Sequence, residues 1–147
     1  MAHARKTIRE AVAGLVTGLT TTGSRVFQSR VYNVQETELP CLLVYTTGEQ
    51  IEGDTLGEPR TLDRSLDLVI EGKAQAVADL DDLLDTIGEE VETAIGGTPA
   101  LGINVDDTTI EAVEISFSGE GDKPIGSVLM RYKVLYRSNE NAPGTII

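Results

Sequence analysis

The chain has 147 residues, 40% of them hydrophobic, a size and composition that suit one domain with one core. Aromatic residues make up only 4% and Trp is absent, so Val, Ile, Leu and Ala must fill that core. The formal net charge of −12 argues against a surface that grips phosphates, and no apolar run approaches the ~18 residues of a membrane helix.

In chain order, Ile8, Val12, Leu15 and Leu19 form one apolar stripe and predict a helix over residues 4–20, weakened by Gly14 and Gly18. Charges stand in Met1 to Glu10 where a signal peptide needs an apolar stretch, so assembly in the cytoplasm is expected. Residues 25–34, with Val26, Phe27, Val31, Tyr32 and Val34, read as a strand. Pro40 then opens the run Cys41 to Thr47, a central strand buried on both faces. Residues 48–59 are polar and broken by Gly48, Gly53, Gly57 and Pro59, which predicts a long loop. From Arg60 to Glu71, Leu62, Leu66, Leu68 and Ile70 share one parity and Thr61, Asp63, Ser65 and Asp67 the other, as in a half-buried antiparallel strand.

The strongest periodic signal is a helix over 74–95. Val77, Leu80, Leu84, Ile87, Val91 and Ile95 line one face, acids crowd the other, and Gly96-Gly97 with Pro99 stop it. Two strands close the chain. Residues 108–118 put Val113, Ile115 and Phe117 on one face, and residues 127–137 do the same with Val128, Met130, Tyr132, Val134 and Tyr136. The connection 118–126 reads as a turn or mobile loop, and 138–147 as a loosely held tail. The order α-β-β-β-α-β-β predicts an α+β domain over 1–147: a mainly antiparallel or mixed sheet of about five strands, with two helices packed on one face.

Catalytic combinations are sparse. His3 is the lone histidine, near a terminus expected to fray, and no Ser-His-Asp or Cys-His pair can be built around it. Cys41 lies in the apolar run and reads as a buried, inert thiol. Cys/His zinc spacing, a P-loop and a Rossmann glycine turn are all missing, so no catalytic residue, metal ligand or cofactor is assigned. Glu49, Glu52, Asp54 and Glu58 lack the alternating ligands of an EF-hand and read as solvated loop acids.

Charge is unevenly spread. Residues 1–30 carry Arg5, Lys6, Arg9, Arg25 and Arg30 against Glu10, a balance of +4, while the remaining 117 residues carry −16. The split suggests that Arg5, Lys6 and Arg9 face Glu89, Glu90 and Glu92 of a neighbouring copy; solvated charge on one helix face is the simpler alternative. The loops with Glu49, Glu52, Asp54, Glu58, Glu120, Asp122 and Lys123 are candidates for binding other proteins, or are disordered.

The opening helix Arg5-Lys-Thr-Ile-Arg-Glu-Ala-Val12, the strand Leu39-Pro-Cys-Leu-Leu-Val-Tyr-Thr-Thr47 and the alternating strand Arg60 to Ile70 resemble the lambda-type tail terminators of long-tailed bacteriophages. The acidic helix and the closing strand Tyr132-Lys-Val-Leu-Tyr-Arg137 extend that resemblance over nearly the whole chain in element order and length. It implies a structural protein at the head-proximal end of the virion tail. That protein would form a homo-hexameric ring, cap the major tail tube protein and offer a surface to head–tail connector proteins. It implies no cofactor, no catalysis, no membrane and no stable nucleic-acid binding, although DNA would pass through the ring. A head–tail connector, tail-completion or baseplate subunit and a non-viral protein-binding module are the alternatives.

Overall fold

The computed structural model describes residues 2–54, 56–76, 78–118 and 124–147. Helix α1 (Ala4–Leu15) is followed by β1 (Val26–Phe27), a short 3-10 turn at Glu36–Glu38, and β2 (Cys41–Gly53). Then come β3 (Thr61–Gln75), α2 (Leu80–Gly96), β4 (Asp107–Ser118) and β5 (Ile125–Asn139). One five-stranded sheet runs in the order β1-β2-β3-β5-β4, antiparallel except for the short parallel pair β1–β2. The expected α+β architecture is the one observed.

Both helices cover one face of the sheet. Leu42 and Val44 of β2, Leu66, Leu68 and Ile70 of β3, and Val128, Met130 and Val134 of β5 point into a single core with Ile8 and Val12 of α1 and Leu84, Ile87 and Val91 of α2. Helix α1 lies over β2, and α2 lies over β3 and β5. A smaller cluster of Leu43, Tyr45 and Val69 on the opposite face is covered by Phe27 and Val34. Two glycines notch the sheet beneath α2. A Cβ on Gly72 would stand 2.7 Å from Ile87 Cγ2 and 3.0 Å from Val128 Cγ1; one on Gly126 would stand 2.7 Å from Leu84 Cδ1. Gly72→Ala is therefore expected to destabilise the fold by about 1–3 kcal/mol in denaturant melts. Gly88→Ala, where a Cβ meets nothing within 4 Å, should be neutral or slightly stabilising.

Several boundaries differ from the sequence reading. Helix α1 stops at Leu15 rather than near residue 20, because Gly18 and Gly23 take positive φ and a Leu19–Gly23 bridge closes a turn. Of residues 25–34, only Val26 and Phe27 have strand pairing. The segment predicted as helix from residue 74 begins instead as strand: Ala74 and Gln75 extend β3 to pair with Gly126 and Ile125, and α2 starts at Leu80. Val77, placed in the helical stripe, lies outside the described residues.

The largest correction concerns residues 48–59. The first half of the expected loop is strand, since β2 runs to Gly53, which pairs with Leu62 of β3. The tail is tied down rather than loose. Ala4 donates to the Pro143 carbonyl at 3.0 Å, Ile147 donates to that of Arg137 at 2.9 Å, and Ile146 packs against the core.

Candidate functional site

A register shift between Thr46 and Gly48 inserts a bulge into β2. A bulge of one residue flips side-chain parity. Before it, Leu42 and Val44 face the helices; after it, Glu49 and Ile51 do, opposite Leu66 and Arg64 of β3. Glu49 is thereby driven under the N-terminus of α1, with its side chain 4% exposed. It is not a solvated loop acid.

Three side chains converge on it. Arg64 Nη1 lies 2.8 Å and Arg5 Nη1 2.9 Å from Glu49 Oε1, and the Tyr136 hydroxyl donates to Oε2 at 2.5 Å. Arg64, 6% exposed, also donates through Nε to Ser138 Oγ at 2.8 Å. Burial pushes the Glu49 carboxyl upward, but the hydrogen bonds from Tyr136, Arg64 and Arg5 outweigh it and hold the group below its ordinary value. His3 borders the cluster without frayed behaviour: its Nδ1 accepts from the Arg5 N–H at 3.1 Å and caps α1. Burial first, then the Arg5 and Arg64 charges, lower its pKa. An open cavity of about 650 Å³ adjoins the cluster, lined in part by Ile51, Arg64, Leu135 and Tyr136. Arg64 is already spent on Glu49 and Ser138, so the cavity gains no free cation from it. The cluster joins α1, β2, β3 and β5, and its chemistry is that of a structural clasp.

The remaining sequence-selected residues separate into distinct places. Lys6 pairs with Glu10 at 3.7 Å, and Arg9 donates to Gln28 Oε1 at 3.4 Å. Glu90 accepts from the Thr21 N–H at 2.9 Å and hydroxyl at 2.6 Å. Arg5 and Glu90 thus have partners within their own chain. Glu89 and Glu92 are exposed on α2. Glu52 is exposed on β2, Asp54 accepts from Arg137, and Glu58 is exposed in the β2–β3 turn. Glu120, Asp122 and Lys123 lie outside the described residues. Cys41 is 0% exposed, and burial pushes its thiol up to about 11. Among the described residues, no group of three or more His, Cys, Asp or Glu side chains is placed to hold a metal ion, and no helix is long and apolar enough to cross a membrane.

Two surfaces were not singled out by sequence reasoning. On the face away from the helices, each cation of β5 meets a carboxylate: Arg131 with Glu114 at 3.5 Å, Lys133 with Asp67 at 3.2 Å, and Arg137 with Asp63 at 3.1 Å and with Asp54. This face is charged but internally neutralised. The second surface is the edge strand β4. Val113, Ile115 and Phe117 lie opposite Met130, Val128 and Gly126, so they share the helix-bearing face, yet they are 46%, 48% and 52% exposed. Three neighbouring apolar side chains left in water on a terminal strand ask for a protein partner.

No family model matches the chain, and no curated protein matches it. Solved structures do match, among them a chain described as "Virion of native gene transfer agent (GTA) particle". That chain is 12% identical, with a TM-score of 0.43, over 90% of this chain and 92% of the other. A likeness of this degree carries no functional argument.

Proposed function

We propose that the chain is a non-enzymatic structural subunit of a phage-type virion, and within that class a tail terminator. In this reading copies of it form a homo-hexameric ring on the end of the tail tube, stop the tube's growth and present a surface for head attachment. The carrying observation is the half-exposed apolar stripe Val113, Ile115 and Phe117 on edge strand β4, a surface suited to a protein partner. The paired charges on the far face of the sheet support the reading in a second way. With each β5 cation matched by a carboxylate, that face offers no cationic stripe to phosphates, and DNA passing it would slide rather than stick.

Particles assembled without the chain should show overlong or headless tails by electron microscopy. Tails of normal length would point to a connector and overturn the terminator role. The purified chain should show no detectable binding to duplex DNA at physiological salt; micromolar affinity would reopen a nucleic-acid function.

A further inference from the structure

The two edges of the sheet differ in charge as well as in position. Around the β1–β2 edge, three cations have no carboxylate partner among the described residues. Arg9 bonds Gln28 just after β1, Arg25 bonds the Pro40 carbonyl just before β2, and Arg30 lies over the Tyr45 ring. Past Leu43, β2 has no strand on its outer side among the described residues. Its exposed Ile51 leaves apolar area at the open part of this edge.

The β4 edge is its complement. Thr86 and Glu90 of α2 face α1, since Glu90 bonds Thr21 and both line the cleft with Gly18 and Leu19. At 100° per residue, Asp81, Asp85 and Glu92 fall on the opposite flank, toward β4. The Glu92 charge acts on Tyr132, whose register partner is Ile110 of β4, which agrees with that placement. None of the three acids has a cationic partner among the described residues. They therefore border the exposed stripe Val113, Ile115 and Phe117 with uncompensated negative charge.

We infer that the β4 edge of one copy docks on the β1–β2 edge of a second copy. The stripe meets the open edge of β2, where Ile51 is exposed, and the acidic flank of α2 lies toward Arg9 and Arg25. The inference rests on the reading of the chain as a ring-forming subunit. A β4-to-β4 pairing would set Asp81, Asp85 and Glu92 against their own copies, and like charge across an interface is disfavoured. Docking unlike edges is a head-to-tail contact, which repeats around an axis and closes into a ring when the rotation allows.

Native mass measurement over a concentration series, on the full chain, tests the contact. Wild type should be oligomeric, and Ile115→Glu should weaken association about tenfold or more, with an unchanged melting temperature. A photo-crosslinking residue in place of Phe117, in a mixture of labelled and unlabelled chains, should attach to residues 25–34 or 44–53 of the other copy. Crosslinks to 107–118 of the other copy, or an oligomer that survives Ile115→Glu, overturn this surface and leave a ring possible. A wild-type chain that stays monomeric at all concentrations overturns the surface and the ring together. A wild type that stops at a dimer, dissolved by Ile115→Glu, is the β4-to-β4 contact and overturns both the head-to-tail surface and the ring.

Discussion

Glu49→Ala is expected to lower the unfolding free energy by about 3–5 kcal/mol, because it leaves a buried guanidinium without its counter-charge. Arg64 is 6% exposed and has Ser138 as its other side-chain partner, a neutral hydroxyl. The Tyr136 hydroxyl, on a side chain 1% exposed, would lose its acceptor at the same time. Both groups become buried and underbonded. Arg5→Ala removes the outer member, which is 42% exposed, and should cost only about 0–1 kcal/mol. Equal losses for the two variants in denaturant melts would show that Arg64 does not depend on Glu49.

The same clasp sets an acid limit. The folded state holds the Glu49 carboxyl below its ordinary value of 4.5, so the folded state binds this proton less readily than the unfolded chain does. Its contribution is fully present above that ordinary value and is lost as the pH falls through the lowered one. Glu49→Gln keeps an acceptor for Tyr136 but cannot titrate. The stability gap between wild type and Glu49→Gln should be constant near neutrality and should narrow as the pH drops below 4.5. A gap that widens on acidification would mean that another carboxylate governs the transition.

How far the sequence foretells this molecule depends on whether periodicity carries the information. The α2 stripe and the alternation in β3 and β5 are legible because each apolar side chain repeats at the spacing of its element. Glu49 is not legible as a buried group, since Thr47-Gly48-Glu49-Gln50 reads as a polar turn and the bulge that flips its parity leaves no apolar mark. One signal was present. Arg64 shares the parity of Leu62, Leu66 and Leu68, so an arginine was already placed on the buried face and required an acid. That charged side chain among the apolar positions marked the clasp, as the apolar Val69 on the other parity marked the far-face cluster. The β4 stripe shows the converse limit. Parity puts Val113, Ile115 and Phe117 on one face, but it cannot tell whether the same chain covers them. Their exposure is decided by α2 lying over β3 and β5.

Leu84→Ala is expected to cost about 2–5 kcal/mol, because it opens a cavity at the tightest seam of the fold. Leu84 is 0% exposed, and its Cδ1 stands 2.7 Å from where a Cβ on Gly126 would lie, so it fills the notch that Gly126 leaves in β5. The cost of such a truncation depends on whether the surroundings can close in. Here the floor is sheet backbone held by β3 on one side and β4 on the other, and Ile87 seats α2 one turn later in the second notch at Gly72. Neither wall can move without unseating the other contact, so the void should persist. Leu83, only partly buried on the same helix, gives the internal comparison, and Leu83→Ala should cost clearly less. For a chain of this size, each kcal/mol lowers the melting temperature by about 2–4 °C. A Leu84→Ala loss below about 0.5 kcal/mol, far under the usual range for a buried leucine, would mean that α2 is not seated in the notches.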